Sequence, residues 1–355
     1  VPPLPVPSAE RPRPAPVSVF VEERRRRSVL RVVVREVVDA CGGPAVEVEV
    51  MTACGVVRAC ASLGASEAGS VPEIQRRASA ALRGLDAADQ RSVDTAIAEA
   101  LGNCSAAARF ALSLAVCRAG ATTHRMALYE YVAKLAGRWQ GVETRFVLPW
   151  PRFHVLGPCL ALEGDVAASV CEGAAAPAAA APPVPGPEVV LSVHRAGSFR
   201  EALEVGVEVY QTLRAVLRRE CGQDACNVTE RGGFAPRVAD EQQAVSLLDQ
   251  AIKEAKRTEQ VRAVGIQEGR KAAAGVCTLD LSGLASVSEA LEVAGVAALE
   301  GLPLVVATHG SAADATAEDA AADLAVGLGA SELEAGAPCR MEHLGKYNQL
   351  LCIEE

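Results

Sequence analysis

The segment EVVLSV at 188–193, followed by a helical stretch opening FREALEVGVEVYQTL at 199–213, decides the fold. The first is a short apolar run of strand length. In the second, Phe199, Leu203, Tyr210, Leu213 and Leu217 recur at spacings of 4, 7, 3 and 4, which is one face of a helix over 199–220. The same alternation continues downstream. CNV (226–228), VRAVGI (261–266), VCTLDL (276–281) and LVVAT (304–308) read as strands, and AVSLLDQAIKEA (244–255) and VSEALEVAGVAALEG (287–301) as helices. Strands alternating with helices predict a parallel sheet with helices outside, open or closed into a barrel. In a barrel, chemistry belongs at the C-terminal ends of the strands.

Working outward, LPWPRFHVL (148–156) is a strand hemmed by prolines, and EGAAAPAAAAPPVPGP (172–187) is an Ala/Pro segment without periodicity, a loop or linker. Residues 29–60 alternate with period two on either side of a turn at Gly42, Gly43 and Pro44, predicting a hairpin or small meander. From Val71 to Gly137 the pattern is helical. The expected organisation is therefore α/β: an extended Pro/Arg-rich arm (1–28), a small N-terminal α+β domain (29–147), and a domain of alternating strands and helices, open or closed into a barrel (148–355), interrupted at 172–187.

Composition sets limits. The chain of 355 residues is 50% hydrophobic but only 3% aromatic, so its core must be built from Ala, Val and Leu. A net charge of −9 argues against bulk nucleic-acid binding. No apolar run is long enough to predict a membrane span. The first 35 residues differ, with eight Arg against three Glu and a basic run at Arg24–Arg27. They read either as a solvated tail, such as a targeting remnant, or as an arm that lies on a partner. The twelve cysteines include no CxxC pair and no Cys/His cluster. Most, like Cys117 in LSLAVCRAG, read as small apolar fillers, which places the chain in a reducing, intracellular compartment.

NVTERGGFAP (227–236) has the composition of a tight turn that displays a side chain. Together with REVVDACGGPAVEVEV, LGAS (63–66), LSLAVCRAGA, FREALEVGVEVYQTL and GAPCRMEHLGKYNQLLCIEE (336–355), it resembles the enolase family. The resemblance runs in family order over most of 31–355 and breaks at 157–187 and near 268–277, so it implies a small N-terminal α+β domain followed by a shortened enolase-type β/α barrel over 148–355. Enolases dehydrate 2-phosphoglycerate to phosphoenolpyruvate. A lysine removes a proton, two magnesium ions hold the dianion, and a glutamate assists departure of hydroxide.

The resemblance implies that this chemistry has been removed. The turn glutamate falls on Arg231, and an arginine stays charged and cannot act as an acid at neutral pH. The first metal aspartate falls on Gln267, and the next two metal carboxylates lie in a segment the chain lacks. The catalytic lysine falls on Asp280. In the phosphate-gripping triplet the arginine becomes Gly310 between His309 and Ser311, and a further lysine falls on Glu334. Ser66, Glu188, His309 and Ser311 remain as ligand-binding remnants. Arg35, Glu47, Glu354 and Glu355 match dimer contacts of the family.

The expectation is a non-catalytic enolase-like protein without metal or cofactor, a structural or scaffolding subunit of a larger assembly. A cytoplasmic, cytoskeletal or ciliary setting, or an organellar particle, would suit it, with the 1–28 arm as attachment and a homodimer as its own state. The alternative is a binding module for a small phosphorylated or acidic metabolite, through Arg231, His309 and Ser311.

Overall fold

The computed structural model describes residues 24–40, 42–63, 70–141, 143–157, 188–238, 240–266, 275–308 and 320–355. Its first sheet is an antiparallel meander of β1 (Arg31–Val38), β2 (Pro44–Thr52) and β3 (Gly55–Ser62), in that spatial order. Val46, Val48 and Val50 alternate into the core and are fully buried. Across the other face, Arg35 reaches Glu47 and Glu49 at 2.8 and 3.2 Å, and Arg58 meets Glu49 at 2.9 Å.

Four helices cover the buried face: α1 (Val71–Leu82), α2 (Gln90–Leu101), α3 (Ala106–His124) and α4 (Leu128–Leu135). Central α3 is rich in Ala and has no polar stripe, because it packs on β2, β3, α2 and α4 at once. Gly120 in α3 lets it approach α4 closely, since a Cβ there would meet the Tyr131 hydroxyl.

The second sheet has six strands in the order β6-β5-β4-β9-β8-β7. These are β4 (Trp150–Leu156), β5 (Glu188–Val193), β6 (Val261–Ile266), β7 (Cys277–Asp280), β8 (Leu304–Ala307) and β9 (Glu332–Glu334). Strands β4, β9, β8 and β7 are parallel, but β5 runs antiparallel to both β4 and β6. The expected parallel sheet with helices outside is found, with β5 as its one reversed strand. Two helices, α5 (Phe199–Glu220) and α6 (Glu241–Glu254), separate β5 from β6 and pack on each other. A helix pair returns the chain to the end it left, so the next strand must run in the opposite direction.

The five residues placed on one face of α5 are all buried. Gly206 in that helix admits the Phe153 ring of β4, which would overlap any Cβ there. CNV is not a strand. Residues 223–226 form a 3-10 turn, and Val228 makes only an isolated bridge to Phe234, because the segment closes into a tight turn too short for a ladder.

The remaining helices are α7 (Val287–Glu300), α8 (Ala320–Leu328) and α9 (Met341–Glu354). The N-terminus of α7 is satisfied by the first module: Val287 N donates to Ser113 Oγ at 2.8 Å and Ser288 N to Asp94 Oδ2 at 3.0 Å. Helix α8 packs on α4, where buried Asp323 accepts from Tyr129 N and Gln349 Nε2 at 3.1 Å each. Among the described residues nine cysteines are free, but only Cys117 is buried, and burial pushes its thiol pKa up. The filler reading therefore holds fully for Cys117, whereas Cys54, Cys221 and Cys352 are exposed. No helix among the described residues is long and apolar enough to cross a membrane.

Candidate functional site

One row of residues crosses the second sheet in register: Asp280, Ala307, Glu334, Arg152, Ser192 and Arg262. In-register neighbours point to the same face, and strands lie about 4.8 Å apart, so Asp280 and Glu334 sit about 10 Å apart at one level. Both stand at the C-terminal ends of their strands, where a barrel places its chemistry.

Glu334 is only 3% exposed. Its Oε1 lies 2.8 Å from His154 Nε2, and its Oε2 lies 3.3 Å from Arg152 Nε. Arg152 also donates to Glu332 at 3.2 Å. Alternation along β4 puts Arg152 and His154 on one face, and the parallel pairing of β4 with β9 brings Glu334 between them. Asp280 turns back on its own chain: its Oδ1 accepts from Ser282 N at 3.0 Å and Ser282 Oγ at 2.7 Å, capping the turn at Leu281–Gly283.

Glu188 begins β5. The reversed direction of that strand sets Glu188 beside Ile266 at the end of β6. Arg231 Nη1 lies 3.4 Å from Glu188 Oε1, with the two side chains 23% and 28% exposed. The Arg231 backbone is fixed from several sides. Ala337 N donates to its carbonyl at 2.8 Å, and His343 Nε2 donates to the Glu230 carbonyl at 3.0 Å. The Tyr210 hydroxyl donates to Gly232 O at 2.7 Å. Gly232 is required twice over: its φ is +78°, and a Cβ there would strike Cys339 Sγ. Burial holds His343 neutral, lowering its pKa to about 4.

A magnesium ion needs several oxygen ligands, usually including carboxylates. Glu334 is tied to Arg152 and His154, Glu188 to Arg231, and Asp280 caps a turn, so these three do not make such a set. Among the described residues no group of three or more His, Cys, Asp or Glu could hold a metal ion. Ser66, Gln267, His309, Gly310 and Ser311 lie outside the described residues. Arg35 and Glu47 pair with each other within the meander. Glu354 accepts from Phe199 N and Arg200 N at the start of α5, and Glu355 meets Arg200 at 3.0 Å.

Arg152, His154 and His343 were not anticipated from sequence. Only the polar pair two residues apart in the apolar strand PRFHVL could have flagged the first two.

Residues 184–267 and 260–355 match the profile of the enolase C-terminal TIM barrel domain. The chain belongs to the enolase family. An enolase from Eimeria tenella is 28% identical over 455 residues, spanning 92% of this chain and 96% of that enolase. The alignment is longer than the 355 residues of the chain, so the relative carries sequence with no counterpart here. The two profile matches overlap at 260–267, on β6. A barrel of this class has eight strands. The described sheet of this enolase-family chain has six, with β6 and β7 at its two edges.

Proposed function

We propose that this enolase-family chain does not dehydrate 2-phosphoglycerate and serves as a structural subunit of a larger protein assembly. The observation that carries this reading is the mutual pairing of charge at the strand ends. Glu334 faces Arg152 and His154, and Arg231 faces Glu188, so the side chains at the expected catalytic positions are engaged with one another. Dehydration requires a base, an acid and divalent charge at the developing dianion. Asp280 in place of the base and Arg231 in place of the acid supply neither. Losing either role typically costs two or more powers of ten.

The scaffold of the family persists while its chemistry does not. The meander, α5 and the C-terminal α9 pack as complete elements, which favours a role that needs shape rather than turnover. A cytoskeletal, ciliary or organellar particle suits such a subunit, with the Pro/Arg-rich arm as its attachment.

The test is turnover of 2-phosphoglycerate by the pure full chain with magnesium, followed by phosphoenolpyruvate absorbance. The expected rate equals the blank, and magnesium-dependent turnover sinks the reading. Native size in a gentle extract then separates a subunit from a free protein. Elution as a free monomer or dimer points instead to a metabolite-binding module.

A further inference from the structure

The basic run singled out in the sequence is folded against the first module, away from the strand-end site. Residues 24–27 form one helical turn. It is held by Ala87 N donating to Arg27 O at 2.9 Å and by the Cys54 thiol, 3.8 Å from Arg26 O. On the other side, α3 ends at Arg125, whose backbone turns into the left-handed region at φ 54°, ψ 40°. Between them lies a cavity of about 670 Å³, lined by Arg26, Arg27, Cys54, Thr122, Thr123 and Arg125.

Three arginines line this space, Arg26 and Arg125 exposed and Arg27 half-buried. A chain with net charge −9 has thus gathered positive charge at one concave place. Like charges drawn together repel one another, and an anion that bridges them turns the repulsion into attraction. The planar fork of arginine matches phosphate oxygens two at a time. The volume falls in the range of small-molecule sites and exceeds what a single phosphate fills.

We propose that this pocket binds a small polyanion bearing two or more phosphate groups, of the size of a nucleoside diphosphate. The test is calorimetric titration of the full chain, free of divalent metal, with pyrophosphate and separately with ADP, at low and high salt. One site per chain is expected, weaker at high salt because exposed charges are screened. The double variant Arg26→Gln, Arg125→Asn should bind at least about tenfold more weakly, from the strength of charge-assisted hydrogen bonds. Asparagine tolerates the left-handed backbone at position 125, and both arginines are exposed, so the melting temperature should stay that of the parent. ADP binding more tightly than pyrophosphate places the nucleoside in the cavity, and equal binding assigns recognition to the phosphates alone; either supports the site.

The proposal is overturned if neither ligand binds. It is overturned equally if Arg218→Gln, an exposed arginine on α5, weakens binding as much. A hexaglutamate peptide binding as tightly as pyrophosphate also overturns it, because the surface then reads charge and not phosphate.

Discussion

The two charged contacts at the strand ends differ in depth, and the difference separates a structural clamp from a surface contact. Glu334 is 3% exposed and touches two nitrogen partners, one at 2.8 Å. Glu188 and Arg231 are each about a quarter exposed and meet at 3.4 Å. Buried charge cannot be left alone, so the first contact has become part of what holds β4 against β9. The second sits where water competes, and its strength is that of a surface ion pair. One charged row can therefore serve two ends, with its deep part belonging to the core and its rim to the surface.

The largest effect should come from the deep contact. Glu334→Ala removes the buried carboxylate that faces both His154 and Arg152, leaving Arg152 with Glu332, and should cost about 3 kcal/mol, the low end for breaking a buried pair. Chemical denaturation of the variant reads this directly, and a loss below that of a surface pair would erase the contrast. Acid provides the next test. His343 stays neutral in the folded protein down to about pH 4. In the unfolded chain it takes up a proton near pH 6.5. Between those values the unfolded state binds more protons, so stability falls as pH drops from 6.5 towards 4, by up to about 3 kcal/mol. His343→Gln should flatten that part of the stability profile relative to the parent.

Asp94→Ala removes a carboxylate that receives Ser288 N at the start of α7, and should cost about 1–2 kcal/mol by the usual worth of a helix cap. Its melting curve tells whether the first module supports the second sheet. Arg231→Ala should change stability by about 1 kcal/mol, since its pair with Glu188 is partly exposed. A loss as large as that of Glu334→Ala would show that rim and depth are equivalent after all.

Much of this architecture was legible because burial leaves a period behind. The face of α5 at Phe199, Leu203, Tyr210, Leu213 and Leu217, and the alternation of Val46, Val48 and Val50, both follow from one-sided packing. Helix α8 was harder. AAADLAVGL is buried on every side, so it has no period to read, and its one acid, Asp323, is held by partners far away in sequence.

The site divided in the same way. The turn at Arg231 could be found from its own glycines. The partners of Glu334 could not, because 180 residues separate it from His154 and only the pairing of β4 with β9 joins them. The direction of β5 was equally hidden, since it depends on how many helices intervene and not on the strand's own residues.

The position of β9 between β4 and β8 has a consequence for how the protein is made. Residues 332–334 complete the middle of the sheet, yet they follow its other five strands in chain order. Until they emerge, β4 has β5 on one side and an open row of amides and carbonyls on the other. Closing so long a loop costs little more entropy than closing a shorter one. The delay is therefore one of timing. The N-terminal module can settle while synthesis continues, and the sheet becomes continuous only once β9 has emerged.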